Sequence, residues 1–260
     1  MTLRLVLAPS IGTARAQARA ELLEDALGTE LGEPVEIEIA ANYGELEQHA
    51  RDATADLVWA PPAVVARVEA LSLAIFKCVR SGTTSYRSAI VARKGEGTSL
   101  TSGTGLRAVW TDPMSIGGCL LALDHIERLG LDADRLFASQ LYVGSYPEAL
   151  DELLHEKADL TAIGVHSDRP EHVDEALARF AGRMQAGRLE AIAVTRETPA
   201  DALVVTERLD PEKARKFGER LVPAAPGRAP QGICLALEVE GFARAEPGEY
   251  EPVRELVSRI

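Results

Sequence analysis

The stretch Leu106–Leu129, LRAVWTDPMSIGGCLLALDHIERL, shows the pattern that recurs along the whole chain. The apolar run Leu106–Trp110 predicts a buried strand, and the amphipathic segment Gly118–Leu129 predicts a helix. A turn containing Pro, Ser and Gly separates them. Strand, turn and helix in this order form part of a βαβ unit. The stretch therefore favours an α/β fold with a mostly parallel sheet flanked by helices.

Apolar runs of strand length alternate with amphipathic segments on both sides of this stretch. The predicted strands are Leu3–Ala8, Val35–Ala40, Leu57–Ala60, Leu71–Val79, Arg87–Ala92, Leu106–Trp110, Gln140–Val143, Leu160–Val165, Leu189–Val194 and Ala202–Val205. The predicted helices are Ala14–Leu27, Tyr43–Ala53, Ala63–Ala70, Gly118–Leu129, Pro147–Glu156, Glu171–Ala181, Pro211–Leu221 and one near Tyr250–Arg259, with Gly28 placed to end the first. This order predicts repeated βαβ units.

A segment rich in Gly, Ser and Thr, residues 93–105 (RKGEGTSLTSGTG), interrupts the pattern, which restarts after it. We expect a discontinuous first lobe of residues 1–88 plus 200–260 and a second lobe of residues 89–199. Ligands of open α/β sheets bind at the carboxyl ends of the strands. The organisation therefore predicts a ligand cleft between the two lobes.

Composition and charge exclude several classes of protein. With 46% hydrophobic and 26% charged residues, the 260-residue chain has the usage of a folded globular protein and differs from a disordered one. A net charge of −12 argues against nonspecific nucleic-acid binding, because such binding needs Lys and Arg to neutralise phosphates. No apolar run approaches the roughly 20 residues that span a bilayer.

The cysteines and the N-terminal segment give expectations about the compartment. Cys78, Cys119 and Cys234 lack metal-site spacing and cannot all form disulfides with one another, so we expect small buried apolar residues. The first apolar run is too short for a signal-peptide core. The sequence as it stands predicts a cytoplasmic protein, or an extracytoplasmic one if a leader has been removed.

Six short motifs occur in order along the chain: NYGEL (42–46), ADLVW (55–59), SYRS (85–88), TDPMSIGG (111–118), VGSY (143–146) and KADLTA (157–162). The series resembles the phosphate/phosphite/phosphonate-binding solute receptors of ABC importers, from Leu3 to roughly Asp201. The resemblance implies a two-lobed type II periplasmic-binding-protein fold. It also implies a small oxyanion as ligand, and a transporter permease or a regulatory protein as partner.

The turn Ser115–Gly118 is the strongest candidate for an anion site. The N–H groups at a helix start and the helix dipole attract an anion without a basic side chain, and Ser115 adds a hydroxyl. In the family this turn is similar to a run of hydroxyl residues, whereas Ile116 and Gly117 stand where Thr or Ser is common. The alternative is an ordinary capped strand-to-helix turn.

Other candidates follow from the resemblance and from the chemistry of their side chains. The phenols of Tyr43, Tyr86 and Tyr146 can donate to an anion while their rings line a pocket. Ser145 and Ser10 each follow a strand and precede a helix, where a Ser also serves as an N-cap. The predicted ligand-binding set is Ser10, Tyr43, Tyr86, Ser115, Ile116, Gly117, Gly118, Ser145, Tyr146, His166 and Asp201.

Two residues concern the group attached to the anion. The resemblance places His166 at a position where the amine-binding members of the family carry a carboxylate. It places Asp201 at the position of a second acidic residue in those members. A single carboxylate beside a His that is mostly neutral near pH 7 holds an ammonium less well than two carboxylates. The sequence therefore predicts a preference for ligands without an amine.

Catalytic motifs are missing from the sequence: there is no GxSxG elbow, P-loop, HExxH or GxGxxG after a strand. We therefore expect a binding protein rather than an enzyme, with no cofactor and no metal. The alternatives are a cytoplasmic enzyme on the same fold, of the cofactor-biosynthesis type, or a cytoplasmic ligand sensor acting on another protein.

Overall fold

The computed structural model describes residues 2–8, 13–101, 104–223 and 230–259. The strands in these ranges are β1 Leu3–Leu7, β2 Val35–Ile39, β3 Leu57–Ala60, β4 Ser72–Val79, β5 Ser85–Arg93, β6 Leu106–Trp110, β7 Phe137–Tyr142, β8 Leu160–Val165, β9 Leu189–Val194, β10 Thr198–Pro199, β11 Ala202–Thr206 and β12 Gly241–Arg244. The predicted α/β fold class is confirmed.

Helices alternate with these strands along much of the chain. They are α1 Thr13–Leu31, α2 Tyr43–Arg51, α3 Pro62–Val68, α4 Leu121–Arg128, α5 Ala133–Leu136, α6 Tyr146–Leu154, α7 Pro170–Ala181, α8 Arg183–Ala186, α9 Pro211–Leu221, α10 Gln231–Leu237 and α11 Glu251–Val257. A short 3₁₀ turn, Glu69–Leu71, follows α3, and a π turn, Ile116–Leu120, leads into α4. No helix in the described ranges is long and apolar enough to cross a membrane.

The chain forms two compact units. The first contains Thr13–Ser85, Pro199–Glu255 and strand β1, and the second contains Tyr86–Thr198. The last described residues, from Leu256 on, belong to the second unit. The predicted division into ligand-binding lobes, residues 1–88 plus 200–260 and 89–199, stays a prediction.

The first unit is built on a six-stranded sheet in the order β12-β4-β11-β3-β1-β2. Strand β1 pairs in parallel with β2 and β3, while β11 runs antiparallel to both β3 and β4, and β12 runs antiparallel to β4. The buried side chains on β1, β3 and β11 give this sheet an apolar centre.

The second unit has a sheet in the order β10-β5-β8-β6-β7, and β9 also pairs with β5. Strand β6 runs parallel to β7 and β8, whereas β5 runs antiparallel to β8 and β9. Leu150, Leu153, Ile163 and Leu177 pack α6 and α7 against this sheet. Strand β6, whose carboxyl end leads into the π turn, lies between β8 and the edge strand β7.

The strand directions correct the expectation of mostly parallel sheets. β4 is followed by β5 after a tight turn in which Arg80 and Thr83 form an isolated bridge, and β5 belongs to the other unit. The chain returns through β11, which inserts between β3 and β4 in the opposite direction. No helix lies between β4 and β5 or between β10 and β11, so these strands do not enter their sheets through the helical crossover that parallel neighbours need.

Helix α1 also differs from its prediction, because it continues past Gly28 to Leu31. The N–H of Gly32 donates to the carbonyl of Gly28 at 2.9 Å, and Gly32 has a φ of +71°. Gly32 therefore adopts the left-handed conformation typical of a helix end. A glycine inside a helix lowers stability by only about 1 kcal/mol relative to alanine, so the helix can continue through Gly28.

The three cysteines are free and buried, as predicted. Burial raises the pKa of Cys78 and of Cys119 to about 12, so both thiols stay protonated near neutral pH. They act as small apolar side chains.

An ion pair holds the start of β8 against β6. Asp159 Oδ1 lies 2.7 Å from Arg107 Nη2, and Asp159 Oδ2 accepts from the backbone N–H of Arg107 at 2.8 Å. Arg93 Nη2 lies 3.6 Å from the same carboxylate. Hydrogen bonding from Arg107 lowers the pKa of Asp159 below its usual value. The pair lies at the amino-terminal ends of β6 and β8, opposite the end at which β6 leads into the turn.

We predict that Asp159→Asn lowers the free energy of unfolding by about 1–3 kcal/mol at pH 7, because hydrogen bonds to a charged group are lost. A lowered folded-state pKa adds stability above the unfolded value of about 4, and this stability is lost as pH falls through the folded pKa. The difference between wild type and variant in urea melts should thus vanish in acid. The exposed Asp134→Asn is the control. A difference that persists below pH about 2 would contradict the assignment.

Candidate functional site

Strand β6 ends at Trp110, and the chain then turns into the π turn Ile116–Leu120. Ser115 is its N-cap, and the Ser115 hydroxyl accepts from the Gly118 N–H at 3.1 Å. The N–H of Leu120 donates to the Ser115 carbonyl, five residues back, at 2.9 Å. This wider hydrogen-bonding pattern is rare in proteins, and where it occurs it often marks a functional site.

The start of this helical segment presents backbone donors. The first N–H groups of a helix have no carbonyl acceptor inside the helix, and those of Ile116 and Gly117 belong to this class. The π turn runs directly into α4, so the dipoles of both segments add at this end. Both residues are buried, which limits competition from water. The turn is thus suited to hold an anion.

Two glycines at the turn make close approach possible. A Cβ on Gly118 would lie 2.1 Å from Thr111 Oγ1, so no side chain fits there. A Cβ on Gly117 would lie 2.8 Å from Tyr146 Oη and 3.0 Å from Tyr86 Cε2. A Cβ at Gly117 would therefore displace the phenol of Tyr146 and press on the ring of Tyr86. The packing requires bare backbone at Gly118, and the present position of the two rings depends on bare backbone at Gly117.

The same distances show that Tyr86 and Tyr146 meet at Gly117. Tyr86 comes from β5 and Tyr146 begins α6, where its ring packs on Phe180 with a centroid distance of 4.7 Å. Gly164 of β8 completes the contact, because a Cβ there would lie 3.3 Å from Tyr146 Oη. Three elements of the second unit thus bring two phenols to the helix start.

Ser88 orients the turn, and sequence reasoning missed it. The Ser88 hydroxyl donates to the Gly117 carbonyl at 2.6 Å. Ser88 is itself held by Thr195, whose Oγ1 accepts from the Ser88 N–H at 2.9 Å and whose N–H donates to the Ser88 carbonyl at 2.8 Å. Ser88 is completely buried and directly precedes the apolar residues 89–92 of β5. A small polar residue at the start of that apolar run was a weak signal at most.

Thr111 and Asp112 also lie at the turn. Thr111 Oγ1 is buried, and no hydrogen-bond partner for it lies in the described part of the chain. Asp112 Oδ1 accepts from the Met114 N–H at 2.7 Å, and burial raises the pKa of this carboxyl above its usual value. Asp112 therefore shapes the turn, and a buried hydroxyl lies behind Gly118.

Ser145 has a local role in the structure. Its hydroxyl donates to Glu148 Oε2 at 2.9 Å and accepts from the Glu148 N–H at 3.4 Å, which caps α6. The hydroxyl thus acts as donor and as acceptor within the helix cap. Its predicted contact with the ligand stays a prediction, as does that of His166, which follows β8 and is partly buried.

Two of the remaining predicted residues, Tyr43 and Asp201, belong to the first unit. Tyr43 is buried at the start of α2, where Asn42 is the N-cap. Asp201 precedes β11, and Arg80 Nη1 lies 3.2 Å from Asp201 Oδ2. Ser10 lies outside the described residues. The ligand contacts predicted for Tyr43, Asp201 and Ser10 stay predictions.

Arg80 is a second residue that sequence reasoning missed. It donates to the carbonyls of Leu237 and Glu238 at 3.2 and 3.1 Å, and its guanidinium lies 5.7 Å from the centre of the Trp59 ring. With these contacts it is held beside Asp201 and compensates that charge. Nothing in the local sequence signals the pair, because its partners are more than a hundred residues apart in the chain.

Solved structures share this fold at low sequence identity. A binding protein component of an ABC phosphonate transporter from Pseudomonas aeruginosa is 17% identical, with a TM-score of 0.80 over 98% of this chain and 85% of that one. PhnD1 from Prochlorococcus marinus, in complex with methylphosphonate, is 17% identical, with a TM-score of 0.81 over 99% and 97%. XAC2383 from Xanthomonas citri, bound to ATP, is 18% identical, with a TM-score of 0.74 over 99% and 96%.

A comparison of the sequence with family models identifies the group to which the chain belongs. No curated protein matches it. One family model, described as "ABC transporter, phosphonate, periplasmic substrate-binding protein", matches residues 5–250, which is nearly the whole chain. With this match the resemblance of the six motifs is confirmed, and the chain belongs to the family of periplasmic substrate-binding proteins of phosphonate ABC transporters.

Proposed function

We propose that this chain binds a small phosphonate or related oxyanion at the turn Ser115–Gly118 and delivers it to an ABC transporter permease. The observation that carries the proposal is the meeting of Tyr86 and Tyr146 at Gly117, directly over the start of the helical segment. A helix start supplies N–H donors and a positive dipole end, and phenols supply further donors. The methylphosphonate complex of PhnD1 supports this ligand class.

Neutral donors account for the binding of an anion by a chain of net charge −12. Hydrogen bonds from neutral groups to a charged oxygen are about twice as strong as those between neutral groups. They gain strength in a site of low dielectric constant. Since Ile116 and Gly117 contribute only backbone N–H groups, the ligand oxygens near them must lie close to the main chain.

We further propose that the ligand leaves unchanged. The thiol nearest the turn, that of Cys119, is buried and has its pKa raised to about 12, so it is a poor nucleophile. The Ser115 hydroxyl accepts a hydrogen bond from Gly118 within its own turn, and it serves as a cap. These roles favour binding over catalysis.

The direct test is isothermal titration calorimetry with methylphosphonate, phosphite, phosphate and sulfate. We expect heat of binding from at least one of these anions. Gly117→Ala should abolish it, because the added Cβ would lie 2.8 Å from Tyr146 Oη. The matched control is Gly187→Ala, where an added Cβ would meet only the Met184 carbonyl, at 3.9 Å. Silence from all four anions with folded protein, or equal heat in both variants, would refute the proposal.

The phenols give a second prediction. Tyr86→Phe removes a donor to the anion while keeping the ring, and we expect a loss of about 1.5–3 kcal/mol, which is roughly tenfold to a hundredfold in affinity. Tyr43→Phe should have a similar effect, because its phenol is predicted to donate to the same anion. Ser139→Ala, which removes an exposed hydroxyl on β7, is the control. Unchanged affinity in Tyr86→Phe would assign that phenol to packing.

The ligand's substituent gives a third prediction. We propose that the site prefers phosphonates without an amine, because His166 replaces an expected carboxylate and Arg80 lies 3.2 Å from Asp201. A carboxylate paired with a guanidinium attracts an ammonium weakly. Methylphosphonate should therefore bind more tightly than 2-aminoethylphosphonate.

Removing the guanidinium provides the control for this selectivity. Arg80→Met should shift the preference toward 2-aminoethylphosphonate, whereas His166→Ala should leave the order of the two ligands unchanged. Tighter binding of 2-aminoethylphosphonate by the wild-type protein at neutral pH would show that the selectivity argument is wrong.

A further inference from the structure

A second cluster of chemically reactive groups lies in the first unit, apart from the turn. One ligand atom each from Glu38, Glu45 and His49 lies within 4.8 Å of the others. Glu38 is on β2, and Glu45 and His49 are on α2, the helix that follows β2 in the chain. Glu45 and His49 are four residues apart, so they share a face of the helix.

In each of the two carboxylates, one oxygen atom accepts a hydrogen bond from a neighbouring donor. Glu38 Oε2 accepts from Arg4 Nη2 at 2.6 Å, and Glu45 Oε2 accepts from the Ala41 N–H at 2.5 Å. These contacts orient the carboxylates and leave the second oxygen of each for another partner. Contacts of this kind, from groups behind the ligands, position the ligands of metal sites in proteins.

The ring of His49 is oriented by Thr54. His49 Nδ1 lies 2.8 Å from Thr54 Oγ1, and Thr54 Oγ1 lies 3.5 Å from the His49 carbonyl. With the hydroxyl directed to that carbonyl, Nδ1–H donates to Oγ1 and the lone pair belongs to Nε2. Only 17% of the His49 side chain is exposed, so the ring is confined.

The atom left with the lone pair faces a carboxylate. His49 Nε2 lies 3.7 Å from Glu38 Oε1. Two acceptor atoms at this distance repel each other unless a cation lies between them. Two ligands of a tetrahedral zinc ion, with bonds of about 2.0–2.2 Å, are about 3.4 Å apart. A small side-chain rotation therefore brings this pair into zinc geometry.

We propose that Glu38, Glu45 and His49 bind a divalent transition-metal ion of the zinc class, with water completing its coordination. An imidazole ligand favours zinc over calcium or magnesium, which prefer oxygen ligands only. The ion would tie the helix that begins at Tyr43 to the end of β2. This proposal differs from the sequence-based expectation of no metal, and it does not depend on the anion site.

The test uses the full chain without an affinity tag, stripped of metal with a chelator. Titration with ZnCl₂ in a calorimeter should give one binding event per chain, and zinc should raise the melting temperature because it binds only the folded protein. His49→Gln and Glu45→Gln should each weaken zinc binding at least about tenfold, and Thr54→Val by about tenfold through the orientation of His49. Circular dichroism confirms that each variant is folded.

The matched control is His155→Gln. His155 Nδ1 lies 3.3 Å from Asp151 Oδ2 on an exposed face, and no third metal-binding group joins this pair among the described residues. This variant should bind zinc like the wild type. Cobalt absorption provides a second measurement, since its visible bands should change in His49→Gln and persist in His155→Gln.

Three outcomes would overturn the proposal. One is no zinc binding by the folded wild-type protein. Another is equal affinity in wild type and His49→Gln, and a third is a larger loss in His155→Gln than in His49→Gln. Each would leave the His49–Glu38 contact as an ion pair that forms when the ring is protonated. Phosphonate calorimetry on the same variants separates this result from a failure of the anion site.

Discussion

The structure around the turn depends on the absence of side chains at two consecutive positions. Gly118 lies so close to Thr111 that a Cβ would be 2.1 Å from the hydroxyl oxygen, and Gly117 lies under the rings of Tyr86 and Tyr146. A Cβ at Gly118 would overlap Thr111, and a Cβ at Gly117 would displace the tyrosine side chains. The N–H groups of the helix start are consequently the chemistry that this place can offer.

The surrounding contacts hold this backbone in one orientation. The Gly117 carbonyl is held by Ser88, which is in turn held by Thr195, and the Gly118 N–H is held by Ser115. The carbonyl and the N–H of the peptide group between Gly117 and Gly118 are thus each hydrogen-bonded to a serine hydroxyl. A preorganised site of this kind loses little entropy on binding, which supports the proposal that neutral groups bind an anion here.

The strand and the helix start at this turn could be predicted from the sequence, because local sequence patterns determine them. The strand at Leu106–Trp110 and the helix start after Ser115 both follow from periodicity and from turn residues. Long-range pairings could not be predicted. Arg80 beside Asp201 and Ser88 beside Gly117 are set by strand order, which a single sequence does not specify.

The strand directions show the same limit. Apolar runs identify strands but not the side on which a returning strand inserts, and β11 entered the sheet between β3 and β4 in the opposite direction. The sequence does not predict the end of α1 correctly, for a different reason. Gly28 and Gly32 are both possible helix ends, and only the conformation of the backbone distinguishes them.

The π turn has a consequence for how this site can change in evolution. A π turn holds one more residue than an α-helical turn, since Leu120 bonds to Ser115 rather than to the residue after it. Deleting one residue between them would restore α-helical hydrogen bonding, at a small cost to the helix itself. It would also rotate everything before the deletion by about 100° around the helix axis. Relatives that differ here by a single-residue gap would keep the fold and present a different set of donors.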